Sequence, residues 1–324
     1  MQNSITPMSL GDMFDRLFRL MGKTALRNLM IAIIILLPAS VIMVYGMNEF
    51  FAMITQIVRA EELNEIVPHE FIFSMFQGLT VYFGTIIIFM LAYLAATLGV
   101  TIVSCAEMTR QQVSWNEALS QIFSIRLLRA YGQAILESLA LGCLFIIPVF
   151  FIGIGAGTES VGTVLFGVLL IIAAAVCAIF LWVRWAFALP AIAWEDAGVI
   201  QSFGRSSFLV KDFWWRTFGI LLLLNIIAQF AVSIITTPIQ LIALWGFFSK
   251  YFVMISSLAE GSVDSFEVLG LFDSLGTGMG IVMFVSYVLL LLITPLISVV
   301  MYFDLRARKN EFTESTAIEP EPDS

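Results

Sequence analysis

The sequence predicts an all-α integral membrane protein with six transmembrane helices, and three observations predict it. Hydrophobic residues make up 60% of the 324 residues and charged residues only 12%, against about 45–50% and about 25% in soluble domains. The apolar residues gather into six long runs, each long enough for the roughly 20 residues that cross a hydrocarbon core about 30 Å thick. The basic residues collect on one side of those runs. In water, a chain of this size could not hide so much apolar surface, because its exterior would still need polar cover.

The six runs are 29–57, 71–106, 130–154, 161–189, 217–245 and 279–303. Their length beyond a minimal span is absorbed by tilt or interfacial ends and does not require more spans. The first run follows a segment carrying Arg16, Arg19, Lys23 and Arg27, and it continues well past the apolar core of a signal peptide. It is therefore expected to be a retained span. The stretch 246–278 is apolar but interrupted, which predicts a long loop with one or two short helices on the membrane surface. The organisation expected is a cytoplasmic N-terminus and amphipathic elbow (1–28), a six-helix domain (29–303), and a basic clamp followed by an acidic disordered tail (304–324). The tail holds Glu311, Glu314, Glu319, Glu321 and Asp323, a large part of the net charge of −8.

Orientation follows from the 16 Lys and Arg residues. With the N-terminus in the cytoplasm, Arg16, Arg19, Lys23, Arg27, Arg110, Arg126, Arg129, Arg184, Arg205, Lys211, Arg216, Arg306, Arg308 and Lys309 lie at the inner side. Arg59 and Lys250 lie outside. This is the bias the positive-inside rule requires, and it places both termini in the cytoplasm of a multi-pass protein of the cytoplasmic (inner) membrane. The first outer loop is acidic instead, with Glu61, Glu62, Glu65 and Glu70.

Segments 9–27, 114–129 and 198–216 precede the odd-numbered spans and place apolar residues at helical spacing opposite charge. Phe14, Leu17, Phe18 and Met21 do so in the first, Leu119, Ile122 and Phe123 in the second, and Phe203, Ser207, Phe208 and Val210 in the third. They read as in-plane amphipathic elbows. The even-numbered spans end in acids, Glu107, Glu195 and Asp304, and the odd-numbered spans contain Pro38, Pro148 and Pro238. The pattern reads as three parallel units of elbow, span and span, related about an axis along the membrane normal.

Three strings resemble signature stretches of one family: "MSLGDMFDRLFRL" (Met8–Leu20), "LPAIAWEDAGVIQSFGRSSFLVKDFWWRTFG" (Leu189–Gly219) and "TPLISVVMYFDLRARK" (Thr294–Lys309). It is the membrane domain associated with glycerophosphoryl diester phosphodiesterases, within a wider group of uncharacterised prokaryotic multi-pass membrane proteins. The resemblance implies a bundle of about six helices with amphipathic elbows. It lends no catalytic residue, because the 15 residues after Lys309 are far short of the ~250 that a catalytic barrel takes.

No catalytic set is expected. HExxH, GxSxG, Walker and paired-aspartate motifs are absent from the sequence. The lone His69 reads as solvated loop surface. Cys105, Cys143 and Cys177 lie in or beside apolar runs with no CxxC, which argues against a disulfide framework or metal centre. No cofactor is expected, and no basic stripe of the nucleic-acid-binding kind is present. The clusters "GIGAG" (Gly153–Gly157) and "GTGMG" (Gly276–Gly280) read as turns and helix starts. Small residues Ala92, Ala96 and Gly99, with Ala174 and Ala178, read as close-packing faces.

Polar groups at membrane depth are the better clues, because an unpaired charge in lipid costs several kcal/mol. Glu137 and Arg184 either form an ion pair, snorkel separately to the inner surface, or hold an anionic headgroup. Asn225 and Gln229 lie one turn apart and are expected to hydrogen-bond neighbouring helices, with a polar pathway as the rival account. Asp304 is expected to salt-bridge Arg306, Arg308 or an elbow arginine. Arg184, Arg205, Lys211, Trp215, Arg216, Arg306 and Arg308 are the candidate headgroup-binding residues. Membrane lipids at the cytoplasmic face are the expected partners, since each basic residue near that leaflet gains about 1 kcal/mol. The function expected is a non-enzymatic scaffold or accessory subunit. The alternative is a transporter or channel for a small molecule or lipid, built around Glu137, Asn225 and Gln229.

Overall fold

A computed structural model describes residues 6–62, 69–111, 113–259 and 275–312. Among them there is no strand, and ten helices hold almost every residue. In chain order these are α1 (Leu10–Glu62), α2 (His69–Met108), α3 (Trp115–Ile122), α4 (Ile125–Gly157), α5 (Val161–Trp185), α6 (Ala188–Glu195), α7 (Val199–Val210), α8 (Trp214–Ala243), α9 (Trp245–Ala259) and α10 (Leu275–Arg308). Six apolar stretches are long enough to cross a membrane: Leu10–Ile57, Ile72–Met108, Ile125–Gly157, Val161–Glu195, Trp214–Ala243 and Leu275–Arg308. Each contains one of the six expected runs in whole or large part, so the chain is an all-α multi-pass membrane protein.

The elbows differ from expectation. Segment 9–27 is not a separate helix: α1 runs from Leu10 through the first span without a break. Its packed side is Met13, Leu17, Leu20 and Thr24, while Phe18 is exposed. Segment 114–129 contains an eight-residue helix, α3, started by a capping box in which Ser114 and Glu117 satisfy each other's backbone N–H. It stops at Ile122, and Ser124 caps the start of α4. In segment 198–216, α7 buries Ser202, Ser206, Leu209 and Val210, a helical stripe whose small serines allow close approach, while Phe208 stays exposed. The interrupted stretch begins as helix α9 and ends inside α10, whose first residues are 275–278; the rest of the expected loop, 260–274, lies outside the described residues. His69 is the first residue of α2 and does not sit in a loop. The side chains of the first outer loop and the tail beyond residue 312 also lie outside the described residues.

The chain divides into two compact units. One comprises Leu26–Thr97 and Ile226–Ile293. Its core joins Ala39, Met43 and Met47 of α1 to Phe89 of α2, with Met279, Met283 and Tyr287 of α10 packed against them. The Tyr287 ring meets Phe89 and Tyr93 edge-on, each at 5.1 Å. "GTGMG" forms the first turns of α10, a helix start as expected, and is also a packing face. A Cβ on Gly280 would lie 2.2 Å from Val44 Cγ2, one on Gly276 would lie 2.2 Å from Asn48 Oδ1, and one on Gly278 would lie 2.6 Å from the Ala243 carbonyl. Gly276 and Gly280, four residues apart, meet Val44 and Asn48, also four apart, in the small-residue mode that lets membrane helices touch backbones.

The other unit comprises Met1–Ala25, Leu98–Asn225 and Thr294–Ser324. Within it α4 and α5 pack as a hairpin. Gly155 faces the Val164 backbone N (2.7 Å from an added Cβ) and Gly167 faces Ile152, so "GIGAG" also packs at its central glycine. The fourth span is interrupted between α5 and α6. Pro190 lacks an N–H and its ring clashes with the preceding turn, freeing backbone groups at Arg184–Phe187. Ser206 of α7 satisfies two of them: its Oγ accepts from Phe187 N (3.1 Å) and donates to the Arg184 carbonyl (2.7 Å). Helices α8 and α10 run through Pro238 and Pro295, as α1 and α4 run through Pro38 and Pro148.

Candidate functional site

The second unit holds 13 of the 16 basic residues, all except Arg27, Arg59 and Lys250. Most of those with defined partners are tied to acids. Asp304 is fully buried near the end of α10. It accepts hydrogen bonds from Met8 N–H (2.7 Å), Arg216 Nη1 (2.7 Å) and Arg308 Nε (2.9 Å). The same two arginines donate to the Met8 carbonyl at 3.0 and 2.8 Å. A buried carboxylate must be paired, and here both backbone groups of Met8 complete the pairing. Arg306 turns instead to Glu311, its Nε lying 2.8 Å from the carboxylate.

Arg205 bridges two carboxylates. It forks onto Glu195, with both bonds at 2.8 Å, and onto Glu311, with both at 2.6 Å. The Tyr302 hydroxyl donates to Glu195. Arg306 lies over the Tyr302, Phe303 and Phe312 rings. Burial works against the Arg205 charge, but the bonds to Glu311 and Glu195 outweigh it and hold the guanidinium above the ordinary arginine range. Burial likewise pushes Glu311 up, while hydrogen bonds from Arg205 and Arg306 bring it below its ordinary value. Asp196 holds Arg126 and Arg129 at 3.2 and 2.9 Å, Glu107 holds Lys23 at 3.2 Å, and Asp212 holds Lys309.

Three sets of these contacts share one logic. Lys23 precedes the first span and Glu107 ends the second. Arg126 and Arg129 open the third and Asp196 follows the fourth. Arg216 opens the fifth and Asp304 ends the sixth. In these three cases a base at the start of an odd-numbered span meets an acid at the end of the next span.

The seven candidate headgroup residues do not form one cluster. Arg205, Arg216, Arg306 and Arg308 are committed to carboxylates. Lys211, Trp215 and Arg216 line a groove of about 700 Å³ with Val176, Ile179, Phe180, Asp212, Phe213, Trp214 and Phe218. Its floor is a stack: Trp214 lies between Phe180 (5.6 Å) and Phe218 (5.4 Å, planes 8° apart). The Trp214 indole N–H reaches the Phe180 carbonyl at 3.4 Å. Arg184 does not line the groove itself but lies over the ring of Phe180, 6.0 Å from its centroid. Trp215 is 78% exposed at the rim. An apolar floor with cations at its edge suits a ligand that is itself apolar at one end and anionic at the other.

Two residues of the candidate intramembrane polar site find partners within their own helices. Glu137 accepts from Gln133, four residues before it on α4, and forms no ion pair with Arg184. Asn225 donates to its own helix, at the Leu221 carbonyl (2.8 Å), and not to a neighbour, and Gln229 is exposed. Glu137 and Asn225 thus satisfy themselves on their own helices. Among the described residues there is no group of three metal-ligating side chains. No protein-family model, curated protein or solved structure matches the chain.

Proposed function

We propose that this chain is a non-enzymatic protein of the cytoplasmic membrane, with both termini in the cytoplasm, that engages anionic phospholipids as a scaffold or accessory subunit. The observation that carries the reading is the groove beside Lys211. Val176, Ile179, Phe180 and Phe218 supply acyl-chain contacts, and Lys211 and Arg184 supply charge for a phosphodiester. Val176 lies about 12 Å along α5 from Arg184, a separation that suits the glycerol-to-headgroup region of a lipid. The one-sided distribution of basic residues supports the orientation.

Arg205 and Arg216 are poor probes of lipid binding, because removing them also takes a partner from the half-buried Glu195 and Glu311 or from the buried Asp304. Lys211→Ala and Trp215→Ala leave those clamps intact. Anionic lipid retained by protein purified in mild detergent, measured by mass spectrometry, should fall about fivefold for Lys211→Ala, since one basic residue near an anionic headgroup contributes about 1 kcal/mol. It should fall further in the double variant. Undiminished retention in the double variant refutes the proposal.

A further inference from the structure

We propose that a second pocket, between the start of α1 and the turn that follows α2, binds a doubly charged phosphate group. It has a volume of about 180 Å³ and is lined by Arg16, Arg19, Leu20, Lys23, Glu107, Met108 and Arg110. Residues 16, 19 and 23 share one face of α1, being three and four positions apart. Arg110 approaches from the other side.

Charge is the first argument. Lys23 is offset by Glu107 at 3.2 Å, and Arg16 lies within electrostatic reach of Asp12. Arg19 and Arg110 have no ion pair or side-chain hydrogen bond among the described residues. Elsewhere in the same unit Arg126, Arg129, Arg205, Arg216, Arg306 and Arg308 are each held by a carboxylate within 4 Å. Two acids, Glu107 and Asp12, beside four cations still leave a surplus of positive charge around a concave space. The helix end beside it, equivalent to about half a negative charge, does not neutralise the surplus. Guanidiniums fork onto phosphate oxygens, and a dianion answers the surplus better than a carboxylate does.

Backbone conformation is the second argument. Arg110 has φ 62° in the turn that closes α2, where Arg110 N donates to the Glu107 carbonyl (3.1 Å) and Gln111 N to the Ala106 carbonyl (2.8 Å). Glycine is the residue this left-handed position favours. An arginine there is strained, and the backbone bonds that close the turn make no use of its side chain. The strained position holds an exposed arginine at the lining of the pocket.

The pocket shares no residue with the aromatic groove, so the two proposals stand or fall separately. The phosphate has two candidate sources, a lipid phosphomonoester at the membrane surface and soluble phosphate. Thermal unfolding of the detergent-purified full chain, with inorganic phosphate against chloride at matched ionic strength, tests the soluble source. Nanodiscs of phosphatidylcholine doped with phosphatidic acid, against phosphatidylglycerol at equal total charge, test the lipid source. Saturable stabilisation by phosphate assigns the site to the free anion. Stabilisation by phosphatidic acid beyond that by phosphatidylglycerol assigns it to the lipid.

Arg110→Gly is the decisive variant, because it relieves the backbone strain while deleting the charge. Its unfolding temperature without ligand should equal or exceed that of the native chain. Its apparent affinity should fall about tenfold or more, as expected for losing a charge-assisted contact, and Arg19→Ala should behave likewise. The proposal is overturned by no response in either arm, by equal responses to phosphatidic acid and phosphatidylglycerol with none to phosphate, or by undiminished responses in both variants.

Discussion

Asp304→Asn should weaken the protein more than any other single exchange of nearly equal shape at its charged face. The carboxylate is fully buried and accepts three hydrogen bonds, each worth about 1.5–3 kcal/mol for a charged acceptor. Their sum overstates the loss, because the Arg216 and Arg308 side chains keep 27% and 22% of their exposure and rehydrate partly when released. Removing one partner of a buried ion pair costs about 3–5 kcal/mol, and partial rehydration puts this case near the lower end. The asparagine amide would also turn an N–H₂ group toward two guanidiniums that can only donate. At roughly 2 °C per kcal/mol for a chain of this length, the unfolding temperature in detergent should fall by about 6–8 °C. Limited proteolysis should cut near Met8 faster at temperatures well below that transition, since Asp304 holds the Met8 N–H directly. The comparison variant is Arg126→Ala: Asp196 is 54% exposed and keeps Arg129 at 2.9 Å, so the cost should stay under about 1 kcal/mol. Equal unfolding temperatures and unchanged cleavage in Asp304→Asn would refute the buried-clamp argument.

Two further predictions concern packing and pH. Gly155→Ala places a methyl 2.7 Å from the Val164 backbone N, which cannot swing aside, and should cost about 1–3 kcal/mol by overpacking. Gly153→Ala and Gly157→Ala meet nothing within 4 Å and should be neutral or slightly stabilising; an equal loss at all three in thermal unfolding would contradict the hairpin geometry. Glu311 titrates below its ordinary 4.5 in the folded protein, so its contribution is complete above that value and disappears as pH falls through the lower folded value. Native protein should therefore lose stability more steeply below pH 4.5 than Glu311→Gln does, and parallel pH profiles would show that the Arg205–Glu311 bonds contribute little.

The spans were legible because apolar length and one-sided positive charge are properties of single segments. The acids that end spans were legible too, and Asp304 does meet an elbow arginine. What the sequence could not convey was which cations would be neutralised. Arg216 and Asp304 are 88 residues apart, and Met8 and Asp304 are 296 apart; pattern within a window has no access to either. Some misreadings had signals present. Pro190 announces the break before α6, and Gly276 with Gly280 carries the spacing of a packing motif, although Val44 and Asn48 as its partners do not follow from spacing. The continuity of α1 through residues 23–30 follows from a stretch with neither proline nor glycine. An amide in an apolar span predicts a bond to a neighbouring helix, yet Asn225 reaches back four residues to the Leu221 carbonyl of its own helix.

Among the described residues, the backbone of residue 8 finds its acceptor and its donors on residues 216, 304 and 308. Ribosomes release residues in order, so this opening stretch of chain waits, unfastened, until the sixth span has emerged. Membrane insertion and the locking of the charged face are therefore separate events in time. A nascent chain halted after α8 would carry its first five spans with the segment around Met8 untethered.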